Sequence, residues 1–124
     1  MDIIISNASQ DPIYEQISKQ IKQLILNGAL VGGEQLPSIR GFAKELQISV
    51  ITTKRAYEEL EKEGYIETIA GKGTYVSVQN SELLRENRLR SLESKAEEIV
   101  NESKMLELSL EELQQMIAFL YKGE

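Results

Sequence analysis

Apolar residues recur at helical spacing from Ile13 through Ile17 and Ile21 to Leu24 and Ile25, with Lys19, Lys22 and Gln23 falling on the other face. This predicts a first amphipathic helix. Asp11 suits its N-cap and Pro12 its first helical position, where a missing N–H is no loss. Asn27 and Gly28 end it, because glycine accepts the left-handed conformation that closes many helices. Ahead of the helix, Ile3, Ile4 and Ile5 form a β-branched run that reads as an edge strand or as a plug under the domain.

After a loop containing Gly32 and Gly33 and closed by Leu36 and Pro37, Ser38 can cap a short second helix carrying Ile39, Phe42, Ala43 and Leu46. Gln47, Ile48 and Ser49 make a tight break. Ser49 can cap a third helix that runs through Ala56, Tyr57, Leu60 and Glu63 until Gly64 stops it. Two short helices joined this closely make a helix-turn-helix, although an ordinary helical hairpin has the same periodicity. Next come two β-prone segments, Tyr65 to Ile69 and Thr74 to Val78, flanking Ala70, Gly71, Lys72 and Gly73. They predict a hairpin with one positive charge at a glycine-flanked tip. Such a hairpin directly after three helices is the winged form of the motif; the alternative is a plain hairpin closing the core.

Residues 80–107 are charged but periodic: Leu89, Leu92, Ala96, Ile99, Ser103 and Leu106 alternate by three and four. That narrow stripe is the pattern of a coiled-coil seam. Ser109, Leu110, Glu111 and Glu112 spell a capping box, with Leu108 and Leu113 able to form its hydrophobic staple. A further helix is therefore expected from near Leu110, with Leu113, Met116, Ile117 and Leu120 on one face. Two such helices bury too little on their own, and dimerisation is the economical way to cover them. The expected dimerisation residues are Leu89, Leu92, Ala96, Ile99, Leu106, Leu113, Ile117 and Leu120.

Composition narrows the function. The chain has neither Cys nor His, which removes thiol chemistry, the commonest general base and the usual transition-metal ligands. No metal or other cofactor is expected, and no residues are spaced to favour an enzyme. No apolar run approaches the ~20 residues of a membrane span, and the first ten residues lack the features of a signal peptide, so the expected location is cytoplasmic. The net charge of −6 opposes nucleic-acid binding, but its distribution matters. From Gln35 to Tyr57 the bases Arg40, Lys44, Lys54 and Arg55 are opposed only by Glu45. A locally basic surface on an acidic protein is consistent with a DNA-binding face.

At these residues the sequence resembles the DNA-binding domain of the GntR family of bacterial regulators. The matching elements are Pro12-Ile13-Tyr14, Gly33-Glu34-Gln35-Leu36-Pro37-Ser38-Ile39-Arg40, Ala43-Lys44-Glu45-Leu46 and Thr52. They continue through Arg55-Ala56-Tyr57-Glu58-Glu59-Leu60-Glu61, Gly64-Tyr65-Ile66 and Gly71-Lys72-Gly73-Thr74-Tyr75-Val76. The short tail is further similar to the YtrA-like subfamily. The expected fold is thus α+β, mainly α: a winged helix-turn-helix over residues 1–78 and a two-helix dimerisation segment over residues 79–124.

The resemblance implies that Arg40 contacts DNA bases, a role suited to guanidinium, which binds guanine through two hydrogen bonds. It places Ser49, Ile51, Thr52 and Lys54 on the exposed start of the recognition helix, and Gly71 and Lys72 at the wing tip near the minor groove. Ser38, Arg55 and Gly73 complete the expected DNA-contacting set, with Arg55 directed either at phosphate or into an ion pair. Some relatives have arginine where this chain has Val50, and many have a polar residue at Ile51. Those methyl groups either read thymine methyls, or Val50 packs inward and Ile51 is merely exposed. The implied partners are double-stranded operator DNA and a second copy of the chain, and the implied activity is most often repression. No residue cluster nominates an effector. A protein-interaction adaptor is the alternative, against which Arg40, Lys54 and Lys72 count, since an adaptor needs no bases at both helix and wing.

Overall fold

In the computed structural model, residues 1–78 and 81–123 are described. Five helices and one hairpin follow in the order α1 (Ile13–Leu26), α2 (Ile39–Leu46), α3 (Val50–Lys62), β1 (Ile66–Ile69), β2 (Gly73–Val76), α4 (Ser81–Met105) and α5 (Leu110–Lys122). The fold is therefore mainly helical with a small antiparallel sheet, as expected. Two compact units divide at Arg85 and Glu86, inside α4. The boundary expected between 78 and 79 abuts residue 79, which lies outside the described residues.

In the first unit the apolar faces of the three helices and the hairpin share one buried cluster. Ile17, Ile21 and Ile25 come from α1, Phe42 from α2, Ala56, Tyr57 and Leu60 from α3, and Ile66 and Val76 from the strands. Leu84, in the first turn of α4, packs against the same cluster. Each fully buried Ile, Leu or Phe contributes roughly 1.5–3 kcal/mol relative to exposure, so this cluster dominates the stability of the unit. Tyr57 also donates a 2.8 Å hydrogen bond to the Pro37 carbonyl, fixing the loop that leads into α2. Burial, with Glu45 adding to it, pushes that phenol well above its ordinary pKa.

Ser38 and Ser49 cap α2 and α3 as the sequence implies, accepting from the N–H groups of Gly41 and Thr52 at 3.0 Å each. The break between these helices is turned by Gln47, which adopts the left-handed conformation at φ 57°. The start of α1 departs from expectation: Pro12 itself is the N-cap, and Asp11 instead pairs with Lys19 at 2.8 Å. The helical period puts Lys22 on the outer face, yet it sits partly buried, paired with Glu63 and lying over the Tyr65 ring. Residues Ile3 to Ile5 form no strand. Ile3 is buried as a plug, while the Gln16 and Gln20 side-chain amides bond both the N–H and the C=O of Ser6 and Ile4 respectively. Two glutamines one helical turn apart thus satisfy an extended backbone that has no sheet partner.

β1 and β2 pair in the register Ile66 with Val76 through Ile69 with Gly73, leaving Ala70, Gly71 and Lys72 as the connection. The loop before α2 adds to the free edge of β2. Gly33 N–H bonds Val76 O, Val76 N–H bonds Glu34 O, Leu36 N–H bonds Thr74 O, and Gln35 bridges Tyr75. β2 is thereby paired along one edge with β1 and along the other with the lead-in of α2, which ties the wing to that helix.

The second unit is a helical pair. α4 ends with Glu107 in the left-handed conformation at φ 59°, and Leu108 N–H closes on Ser103 O at 2.9 Å. Ser109 and Glu112 then form the complete capping box of α5. Leu108 and Leu113, the expected staple, line one apolar groove with Ile99, Leu106, Met116 and Leu120. Only Ser103 and Leu113 are buried among the described residues of this unit.

Candidate nucleic-acid interface

α3 turns its Thr53, Ala56, Tyr57 and Leu60 into the core, which directs the opposite ridge, Ile51, Arg55 and Glu58, to solvent. Ile51 is 81% exposed, and Val50, at 42%, is not packed inward. The inward position at this end belongs to Thr53, whose hydroxyl donates to Ser49 O at 3.1 Å. The start of α3 therefore presents methyl groups outward. Its hydroxyls are mutually engaged: Ser49 accepts from Thr52 N–H and donates to Thr52 Oγ1 at 2.7 Å. Ser38 likewise uses its oxygen as a cap.

Arg40, second residue of α2, is exposed and has no ion pair or hydrogen bond among the described residues. Lys72, at the wing tip, is the same in its side chain, while its backbone is held: its N–H bonds Ile69 O at 2.9 Å, and its carbonyl accepts from Tyr75 and Gln35. These two free cations border one notch, lined also by Gln35, Ser38, Gly73 and Thr74. Sequence reading places them thirty-two positions apart (72 − 40); it is the pairing of residues 33–36 with β2 that brings helix and wing together. Gly73 carries this join. Its φ is +127°, and a Cβ there would come 2.9 Å from the Gln35 side-chain nitrogen. Gly71, also at positive φ, shapes the tip beside Lys72.

The remaining cations differ. Lys54 lies 3.9 Å from Glu58, one turn along α3, with both side chains exposed; such a pair is weak and readily exchanged for phosphate. Lys44 is exposed in the last turn of α2. Arg55, left open between phosphate and ion pair, makes no ion pair among the described residues: its guanidinium stacks 3.9 Å from the Tyr14 ring centroid and donates to the phenol oxygen at 3.2 Å. Tyr14 was not among the expected site residues. Its spacing on α1 gives no hint of a partner forty-one positions away (55 − 14).

Among the described residues no group of His, Cys, Asp and Glu is placed to hold a metal, and no helix is long and apolar enough to cross a membrane. The expected dimerisation residues all fall in the second unit, Leu106 just past the end of α4; Ile99, Leu106, Leu113, Ile117 and Leu120 line its apolar groove. Leu89, Leu92, Ala96, Ile99, Ile117 and Leu120 are exposed, and Leu113 is buried against the groove.

Residues 13–76 match the family described as bacterial regulatory proteins, gntR family. The chain is 36% identical over 115 residues to the HTH-type transcriptional repressor YtrA of Bacillus subtilis (strain 168), covering 93% of this chain and 88% of that protein. A solved transcriptional antiterminator from Listeria monocytogenes EGD-e superposes with a TM-score of 0.73 at 33% identity, over 98% of this chain and 90% of that one. YtrA from Sulfolobus acidocaldarius, a GntR-family transcription factor, gives a TM-score of 0.61 at 36% identity, over 76% of this chain and 95% of that one.

Proposed function

The chain belongs to the GntR family of bacterial regulatory proteins, and from that premise we propose that it is a transcriptional repressor binding a palindromic operator as a homodimer. One observation carries the DNA-binding reading: two unpaired cations, Arg40 on α2 and Lys72 on the wing, border one notch. The exposed start of α3 supplies the surface for the major groove, with Ile51 outermost, Thr52 half-buried beside it, and Lys54 and Lys44 near phosphates. Gly71, Lys72 and Gly73 approach the adjacent minor groove. Ser38 and Ser49 contribute chiefly by holding the two helix starts, leaving Arg40 as the base-reading side chain. The likeness to YtrA of Bacillus subtilis supports repression.

The DNA-binding part corresponds to residues 1–78 and the dimerisation part to residues 79–124. A unit in which two of the described residues are buried while Leu92, Ile99 and Leu120 are 61%, 47% and 71% exposed has an uncovered apolar seam. A second copy covers it and sets two recognition helices one DNA turn apart. The place of action is the cytoplasm, where operator DNA lies, and no catalytic step is assigned. An adaptor role is disfavoured by the free cations at both helix and wing.

Fluorescence anisotropy of the purified protein with labelled DNA from upstream of its own gene tests this reading. Binding should be far tighter than to a scrambled duplex and should weaken steeply with salt, as counterions are released by Lys and Arg. The −6 charge adds repulsion away from the interface and steepens the fall. Equal affinity for both duplexes, or none for either, would refute it.

A further inference from the structure

We propose that Tyr14 and Arg55 form a composite phosphate clamp, in which Tyr14 of α1 holds the Arg55 guanidinium of α3 in place and the two together bind one backbone phosphodiester beside the recognition helix. The proposal rests on the operator-binding reading and adds a residue, Tyr14, that neither helix pattern nor charge distribution singles out.

Arg55 is exposed on the same ridge of α3 as Ile51, one turn further along, so it stands next to the surface assigned to the groove. No carboxylate neutralises it among the described residues, unlike Lys54, which Glu58 accompanies, and Lys22, which Glu63 holds. A free arginine samples many rotamers, and ordering it on DNA is unfavourable. Here the ring of Tyr14 already fixes it, by a stack at 3.9 Å and a hydrogen bond at 3.2 Å. Pre-ordering of that kind lowers the entropy lost on binding.

The chemistry of the pair suits a phosphodiester. Guanidinium has five N–H donors, and the bond to Tyr14 uses one. The phenol accepts that bond through its oxygen and keeps its own proton to donate. One anion thus meets a full positive charge, further N–H groups and an O–H from an adjacent helix. A purely structural role explains the stack less well, since α1 and α3 are already joined through the buried cluster of Ile17, Ile21, Ala56 and Leu60.

The test compares wild type with Arg55→Ala, Tyr14→Ala, Tyr14→Phe and the double alanine variant, measuring affinity against salt for operator and for a random duplex. Arg55→Ala should flatten the log–log salt slope by about one unit, the contribution of one phosphate contact, and weaken both duplexes alike. Tyr14→Ala should weaken both by roughly two- to fivefold, the worth of an exposed cation–π contact. The double variant should bind only a little more weakly than Arg55→Ala alone, well short of the product of the two single losses. Full additivity in the double variant would overturn the clamp, because Tyr14 would then act without Arg55. An unchanged salt slope in Arg55→Ala, with wild type still binding its operator, overturns the clamp alone. A wild type that binds neither duplex overturns both the operator reading and the clamp. Should Tyr14→Ala fail to fold, Tyr14→Phe keeps the ring, and binding as tight as wild type removes the hydroxyl and overturns the composite site.

Discussion

Replacing Arg40 by alanine separates base reading from anchoring. The side chain is exposed and unpaired within the described residues, and the Ser38 cap to Gly41 N–H does not involve it. Its removal should therefore leave unfolding free energy within about 0.5 kcal/mol of wild type, as for other surface positions. Whatever binding is lost then belongs to DNA contacts. A two-hydrogen-bond contact to guanine discriminates by about 1–3 kcal/mol, which at 1.4 kcal/mol per tenfold is roughly a 5- to 150-fold loss for the operator. Random DNA should lose far less, since the phosphate contacts of Lys72 and its neighbours stay in place. Competition anisotropy against every single-base variant of the operator half-site resolves the point: Arg40→Ala should cease to discriminate at one base pair per half-site and keep its preferences elsewhere. If affinity falls while every single-base preference survives, Arg40 binds phosphate, and specificity must come from Val50 to Lys54 or from DNA shape. A large fall in unfolding free energy would refute the premise that Arg40 is free.

Lys72→Ala should weaken operator and random duplexes equally and flatten the salt slope by about one unit, read from the same titrations. Gly73→Ala forces a side chain into φ +127°, a strain of order 1–3 kcal/mol, and the Cβ meets Gln35. The wing should loosen, seen as faster amide exchange at Leu36 and Val76 together with weaker DNA binding. Unchanged exchange would show that the wing tolerates the residue. Changing Leu92 and Ile99 together to aspartate should yield a folded monomer by sedimentation, since neither is buried within the protomer and the charges would be desolvated in a paired seam. A persisting dimer would place the interface elsewhere.

What could be read from sequence, and what could not, follows the range of the interactions. The caps Ser38, Ser49 and Ser109 were legible because capping is completed within three residues. Core positions on α1 and α3 were legible because burial imposes a helical period. Lys22 was misplaced because its partners, Glu63 and Tyr65, lie beyond the end of another helix. Gln16 and Gln20 go unmarked by the helical period, yet each serves the backbone of the leading segment. The glycine-containing lead-in to α2 read as a loop, since its pairing with β2 runs through the backbone, which side-chain patterns do not encode. Of the site, the charges were legible and their grouping was not. That Arg40 and Lys72 share a notch, and that Arg55 leans on Tyr14, are consequences of tertiary packing.

The tail and the DNA surface belong to one physical problem. On the proposed reading, a single protomer would set Arg40, Lys44, Lys54, Arg55 and Lys72 against DNA while carrying a net charge of −6, so its phosphate contacts would be few and its long-range field unfavourable. Adding basic residues would raise affinity for every sequence alike and leave the operator no better distinguished. Joining two modest modules multiplies only those contacts that two correctly spaced half-sites can meet at once, raising avidity by about 10²- to 10⁴-fold without a new contact type. On the same reading, the acidic second unit, with its exposed seam of Leu89, Leu92 and Ile99 and its open groove along α5, would supply that joining surface and no DNA charge. An acidic protein with a locally basic helix-turn-helix is thus suited to a binder whose affinity is conditional on pairing.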